Sequence, residues 1–170
     1  VDLSGVACIG DSVMLGSSGE LRKVLPGCII DAEVSRYVGG GLDAAKEMAA
    51  QGRLGKNIVI ALGTNGPIAG YEKYEVQTRA LLEYLGPDRH IFWVNVYCPE
   101  FAWHQTNNDY LVSMAKDHPN VTIVDWYGLV SKHPEWVGGD GIHPNDDGTA
   151  AYAKLNHDTM AETLAHPAAD

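Results

Sequence analysis

The chain has 170 residues, 45% of them hydrophobic and 20% charged, which is the composition of one globular domain rather than of two or of a disordered chain. A domain of this size buries roughly 70% of the surface its unfolded chain exposes, so it needs neither a disulfide framework nor a structural metal to fold. Twelve Lys and Arg against 22 Asp and Glu leave a net charge of −10, which argues against a surface for nucleic-acid phosphates or anionic lipid and favours a neutral, sugar-like ligand.

Short apolar runs alternate along the chain with longer stretches of helical period. A first strand is expected over 5–9, then a helix over 12–25 closed by Pro26 and Gly27. A second strand over 29–34 precedes the run Gly39, Gly40, Gly41 and a helix over 42–51, ended by Gly52. The third strand, 57–62, leads through Gly63, Thr64, Asn65 and Gly66 to a helix over 71–85, stopped by Gly86 and Pro87. A strand over 90–96, a helix over 106–116 closed by Pro119 and Asn120, a strand over 121–124 and a helix over 147–164 complete the order, with Gly138 to Gly141 read as a loop and 166–170 as a loose tail. The strands are continuously apolar, as strands covered by helices on both faces are. The expected fold is α/β: a three-layer α/β/α sandwich on a five-stranded parallel sheet, in one domain spanning 1–170.

No basic stretch precedes residue 15, the first cation being Arg22, so the opening residues read as part of the fold and not as a secretory leader. Apolar runs such as 58–62 fall far short of the about 18 residues of a membrane span, and a membrane part would lie elsewhere in a longer protein. Cys8, Cys28 and Cys98 lack metal-ligand spacing and read as buried free thiols, with a Cys8–Cys28 pair left open.

A parallel sheet carries its site outside the carboxyl ends of its strands. Four stretches fall there: Gly10-Asp11-Ser12-Val13, Ser35-Arg36 with Gly39 to Gly41, Gly63-Thr64-Asn65-Gly66, and Asp140-Gly141-Ile142-His143 before the last helix. Singly, each has a plain structural reading as a helix cap, a turn or a surface residue; their joint order on one face points to chemistry. Ser12 is the candidate nucleophile and His143 its base, because a serine hydroxyl attacks only as its proton is removed. Asp140, three residues earlier, can hold the other imidazole nitrogen, which completes a triad by role. The oxyanion that forms on attack needs placed donors: the Ser12 amide, an amide from Gly39 to Gly41 with Gly40 as the choice, and the Asn65 side chain.

These four blocks, running from Gly10 to His143, resemble the SGNH (GDSL-like) hydrolase superfamily, whose serine, glycine, asparagine and histidine blocks fall on Ser12, one of Gly39 to Gly41, Asn65 and His143, with Asp140 supplying the aspartate. The run 61–66, with 9–14, Asp125-Trp126-Tyr127 and His133-Pro134-Glu135, resembles more closely the extracellular catalytic domain of peptidoglycan O-acetyltransferases. The resemblance implies a flavodoxin-like fold, no metal and no cofactor. It also implies an acetyl donor, a peptidoglycan glycan as acceptor at the C6 hydroxyl of N-acetylmuramic acid, a membrane acyltransferase domain upstream, and a monomeric domain at the outer face of the cell membrane, in the cell wall.

Aromatic residues near or after the later strands are candidates for the sugar: Tyr97, Phe101, Trp103 and Trp136, with Tyr127 nearby. Packing is the preferred reading for Trp93 and Trp126, while Phe101 and Trp103 divide evenly. Arg36 is a candidate substrate contact whose structural alternative is an ion pair with Asp31 or Glu33. His133 reads as ordering the loop before Asp140, and the other five histidines as surface or structural. Three function classes stand at this point: a carbohydrate O-acetyltransferase, an esterase or lipase of the same superfamily, and a noncatalytic sugar-binding module, against which Ser12, Asp140, His143 and Asn65 together argue.

Overall fold

In a computed structural model that describes residues 1–167, the chain forms five strands: β1 (Ala7–Gly10), β2 (Ile29–Ala32), β3 (Asn57–Ala61), β4 (His90–Val94) and β5 (Val121–Val124). All pair in parallel in the order β2-β1-β3-β4-β5, as expected of the α/β sandwich. The helices are α1 (Ser12–Gly16), α2 (Ser18–Val24), α3 (Gly41–Ala50), α4 (Glu72–Leu85), α5 (His104–Asp117), α6 (Trp126–Val130) and α7 (Asp146–Ala165).

Side chains alternate across each strand, and this divides the interior into two layers. Ala7, Ile9, Ile58, Ile60, Ile91 and Trp93 pack against Ala45, Met48, Leu81, Leu85 and Leu111 of α3, α4 and α5. Cys8, Val59, Ala61, Phe92 and Val94 face Met14, Leu21, Trp126, Tyr152 and Met160 of α1, α2, α6 and α7. The central strands β1, β3 and β4 are almost wholly buried, whereas β2 is partly exposed throughout and β5 in its middle, because each is an edge. Continuous apolar sequence therefore marked burial on both faces only for the three central strands.

The expected helix over 12–25 is instead two helices. Ser17, fully buried, interrupts it and donates its hydroxyl to the Val13 carbonyl, an alternative to the helical ladder that serine is prone to offer. A short helix, α6, follows β5 directly and was not expected; Asp125 caps it by accepting from the Gly128 amide at 2.9 Å. The last helix runs to Ala165, so His166 and Pro167 lie past its end, while 168–170 of the expected tail are outside the described residues.

From β1 the chain moves outward to β2, then returns past β1 to β3 with α3 on the opposite face. The strand order reverses there, so the ends of β1 and β3 flank the crevice in which such sheets place ligands.

Candidate active site

Ser12 is the first residue of α1, immediately beyond β1. Asp11 caps that helix, its Oδ1 accepting from the Val13 amide at 3.0 Å, which fixes the sharp strand-to-helix turn that presents Ser12. The Val13 amide is thereby occupied, whereas the Ser12 amide, an orphan donor of a helix start, has no partner among the described residues.

His143 arrives from 131 residues further along. Its Nε2 lies 2.7 Å from Ser12 Oγ, and its Nδ1 lies 2.5 Å from Asp140 Oδ2. Asp140 also accepts from the Ile142 and His143 amides, at 2.9 and 3.0 Å. These hydrogen bonds, the His143 amide first, hold the Asp140 carboxyl down at about 2, so at neutral pH it is an ionised, acceptor-only group. The imidazole must then carry its proton on Nδ1, which leaves the Nε2 lone pair to accept the Ser12 hydroxyl proton. The three side chains form one line from carboxylate to imidazole to hydroxyl.

The loop that carries Asp140 and His143 is a closed hairpin-like turn. Val137 bridges Pro144, the Gly138 amide donates to the His143 carbonyl at 2.9 Å, and Gly141 turns the chain at φ 72°. Asn145 ties its base: its side chain donates to the Glu135 carbonyl at 2.7 Å and accepts from the Gly148 amide, capping α7. His133 stacks on Trp136 with centroids 3.9 Å apart and planes 12° apart, which supports the same loop from below, as the sequence suggested.

Asn65 sits beyond β3 on a turn that needs glycine at both flanks, with φ 130° at Gly63 and 139° at Gly66. One of its amide protons goes to the Arg36 carbonyl at 3.0 Å, and the second is uncommitted among the described residues. The turn is held by a residue that sequence reasoning missed. Asn107 of α5, fully buried, donates to the carbonyls of Gly63 and Gly66 at 2.8 and 2.9 Å and accepts from the Ile68 amide at 2.8 Å. A visible signal existed: Asn107 and Asn108 fall on the Leu111 and Met114 face of α5, where buried amides require partners. Asn95 was missed likewise; it donates to Asp125 at 2.8 Å and accepts from the Tyr127 amide at 2.7 Å, joining the end of β4 to α6.

Two expectations are corrected. Gly40 does not offer an oxyanion donor, because its amide donates to the Tyr37 carbonyl at 2.9 Å within a 3₁₀ turn over Val38–Gly40, and the Gly41 amide donates to Val38. Space favours glycine at two of these positions: a Cβ would lie 2.9 Å from Arg36 Cγ at Gly40 and 2.8 Å from Leu81 Cδ2 at Gly41, whereas at Gly39 it would meet only the movable end of Gln77. Arg36 is likewise not an available substrate contact. Its guanidinium donates to the Asp31 carbonyl and carboxylate at 2.8 and 2.9 Å and to the Gly10 carbonyl at 3.3 Å, with Glu33 also 3.3 Å away. It ties the ends of β1 and β2 together, as its structural alternative foresaw.

The aromatic candidates divide. Tyr97 lines a cleft of about 200 Å³ together with Glu100, Asp140 and Ile142. Trp103 donates its indole N–H to the Thr64 carbonyl at 2.9 Å and lies 4.8 Å from the Phe101 ring, which buttresses the Asn65 turn from outside. Trp136 is committed to His133. Trp93 and Trp126 are buried, Trp93 donating to the Leu62 carbonyl and Trp126 packing edge-on against Tyr152. The three cysteines are free thiols.

A doubly wound sheet with hydroxyl, imidazole and carboxylate aligned at its switch point defines a class, the serine hydrolases and acyltransferases of α/β type. No known family profile matches the chain. It is 36% identical to the protein YrhL of Bacillus subtilis over 138 residues, 81% of this chain and 21% of that one. It is 30% identical to the peptidoglycan O-acetyltransferase OatA of Listeria monocytogenes over 153 residues, 90% of this chain and 23% of that one. Among solved structures, it is similar to the C-terminal catalytic domain of Streptococcus pneumoniae peptidoglycan O-acetyltransferase A carrying a methylsulfonyl adduct. That likeness has 30% identity and a TM-score of 0.78, and covers 96% of this chain and 94% of that domain. The chain belongs to the SGNH hydrolase superfamily, in the family of peptidoglycan O-acetyltransferase catalytic domains. It spans less than a quarter of the length of the curated relatives named.

Proposed function

We propose that this chain transfers an acetyl group, through an acyl-enzyme on Ser12, to the C6 hydroxyl of N-acetylmuramic acid in peptidoglycan. The observation that carries the reading is the continuous relay, Ser12 Oγ to His143 Nε2 at 2.7 Å and His143 Nδ1 to Asp140 at 2.5 Å. As Ser12 Oγ attacks the acetyl carbonyl carbon, its proton passes to Nε2. The bond from that carbon to the donor alcohol breaks, and the alcohol leaves with the proton. In the second half His143 takes the proton of the sugar hydroxyl, whose oxygen attacks the acyl carbon and releases Ser12 Oγ, which regains the proton. The Ser12 amide and the free Asn65 amide proton are the donors offered to the oxyanion in both halves.

Hydrolysis is the competing reading, favoured by one observation: the side chains of His143 and Asp140 are about half exposed, at 47% and 50%, so water reaches the base. Both reactions use the same residues and differ only in which acceptor arrives. The chain is further proposed to be one catalytic domain of a longer membrane acyltransferase, working at the outer face of a bacterial membrane. No described helix is long and apolar enough to cross a bilayer. The test is to supply an activated acetyl ester with and without peptidoglycan oligosaccharides and to follow acetate and acetylated sugar by mass spectrometry. Acetylated sugar that rises with acceptor is expected. Acetate alone at every acceptor concentration overturns the transferase reading in favour of the esterase.

A further inference from the structure

The aromatic residues chosen from sequence come from segments after β4 and β5, and two of them, Trp103 and Trp136, hold loops. Beside Asn65, the structure assembles a second aromatic group from the loop after β2 and the start of α4. Tyr37 comes from the loop after β2, Tyr71 immediately precedes α4 and Tyr74 stands in its first turn. The Tyr37 and Tyr74 rings meet edge to face with centroids 6.0 Å apart, and Tyr71 lies 6.1 Å from Tyr74 at an interplanar angle of 45°. Tyr37 is 48% exposed and Tyr71 55%, large aromatic surface beyond what packing requires.

This row is continuous with the chemistry. A small cleft of about 80 Å³ is walled by Tyr37, Tyr74, Pro67 and Gly66 and shares Asn65 with the oxyanion site. Beyond Tyr37 the surface opens into a cleft of about 690 Å³ lined by Asp31, Glu33, Asp43 and Glu47, whose only cation, Arg36, is engaged by the chain itself. Aromatic faces flanked by carboxylate and amide acceptors are the chemistry that binds a neutral pyranose: apolar C–H faces lie on the rings, and hydroxyls donate to the rim. An anionic ligand is repelled from that side, and a lipid acyl chain finds no apolar channel in a cleft walled by four carboxylates.

We infer that the Tyr37–Tyr74–Tyr71 row is the docking subsite for the acceptor glycan, seating the sugar next to the one whose hydroxyl receives the acetyl group. The inference rests on the proposed transfer to a saccharide and adds where the strand lies. Tyr37 and Tyr71, exposed on loop and helix start, can be truncated with little effect on packing, whereas Tyr74 packs against the core and is tested as Tyr74→Phe.

The probe is a soluble tetrasaccharide of alternating N-acetylglucosamine and N-acetylmuramic acid whose lactyl carboxyls are capped as neutral amides, used with an activated acetyl ester. Tyr37→Ala and Tyr71→Ala are expected to raise KM for the tetrasaccharide about 5- to 50-fold, with kcat falling much less, and Tyr74→Phe to change it less than about threefold. Tyr84→Ala, an exposed tyrosine at the other end of α4, is the control and keeps the wild-type KM. Binding is measured separately by isothermal titration calorimetry in a Ser12→Ala background, where no turnover intervenes. Loss of tetrasaccharide binding in Ser12→Ala/Tyr37→Ala supports the subsite even if the wild type forms only acetate, in which case the transfer reading alone fails. Unchanged KM and unchanged binding in both alanine variants overturn the subsite while transfer stands.

Discussion

In the proposed relay Ser12, His143 and Asp140 act as one unit, so their removal is not additive: Ser12→Ala is expected to lower ester turnover by roughly 10⁴-fold or more, and Asp140→Asn by a similar order through loss of the correct tautomer. Asn65→Ala removes one of the proposed oxyanion donors and should cost about 3 to 4 kcal/mol of barrier, a rate loss of roughly 10²- to 10³-fold. Burst kinetics with an activated acetyl ester measure all three, and a folded Ser12→Ala protein with undiminished turnover refutes the nucleophile. At this scale chain order singled out Ser12, Asp140 and His143, where chemistry restricts residue choice, and the fold brings the three into one hydrogen-bonded line. Chain order was misleading where one residue type serves two ends: glycine at Gly40 answers a steric demand from Arg36 rather than a catalytic one.

Among the elements, the turns after β3 and before α7 are the ones under greatest constraint. Asn107 satisfies three backbone groups of the first, two of them buried and the Gly66 carbonyl part-buried. Asn107→Ala leaves them unpaired and is expected to destabilise the domain by roughly 2 to 4 kcal/mol, and to lower ester turnover because the Asn65 turn loosens. Urea unfolding read beside turnover decides it; a loss below about 0.5 kcal/mol would show that the clasp is dispensable. Helix and strand order was legible because apolar runs and breakers report local periodicity. The break at Ser17 and the helix α6 were not, since the first depends on a buried hydroxyl choosing the Val13 carbonyl and the second on the cap Asp125.

For the molecule as a whole, two carboxylates pull stability in opposite directions with pH. Burial raises Asp11 to about 6, and its Oδ2 is buried without a hydrogen-bond partner among the described residues. Between the ordinary 3.8 and about 6 the folded state holds a proton that the unfolded state has lost, so Asp11 makes stability fall as pH rises through that window. Asp140, depressed to about 2, stabilises the fold above 3.8, and that contribution is lost as pH falls towards 2. Asp11→Asn keeps a helix cap and carries no charge. Thermal unfolding across pH 4 to 7 should show the fall at rising pH removed, with a gain of roughly 1 to 3 kcal/mol near pH 7. A pH slope equal to that of wild type would show that Asp11 is not the group responsible.

Periodicity and the spacing of four motifs sufficed, from the amino-acid order alone, for the parallel α/β sandwich, its strand sequence and the candidate serine, asparagine, aspartate and histidine, because each follows from local pattern or from the chemistry of one residue type. Which donors are free was decided only by tertiary structure. The Gly40 amide and the Arg36 guanidinium are engaged by neighbours that chain order does not reveal, and Asn107 and the tyrosine row reach the site from segments whose meeting depends on the path of the fold. A hydrogen-bond donor is defined by what already occupies it, and that is a property of the packed chain.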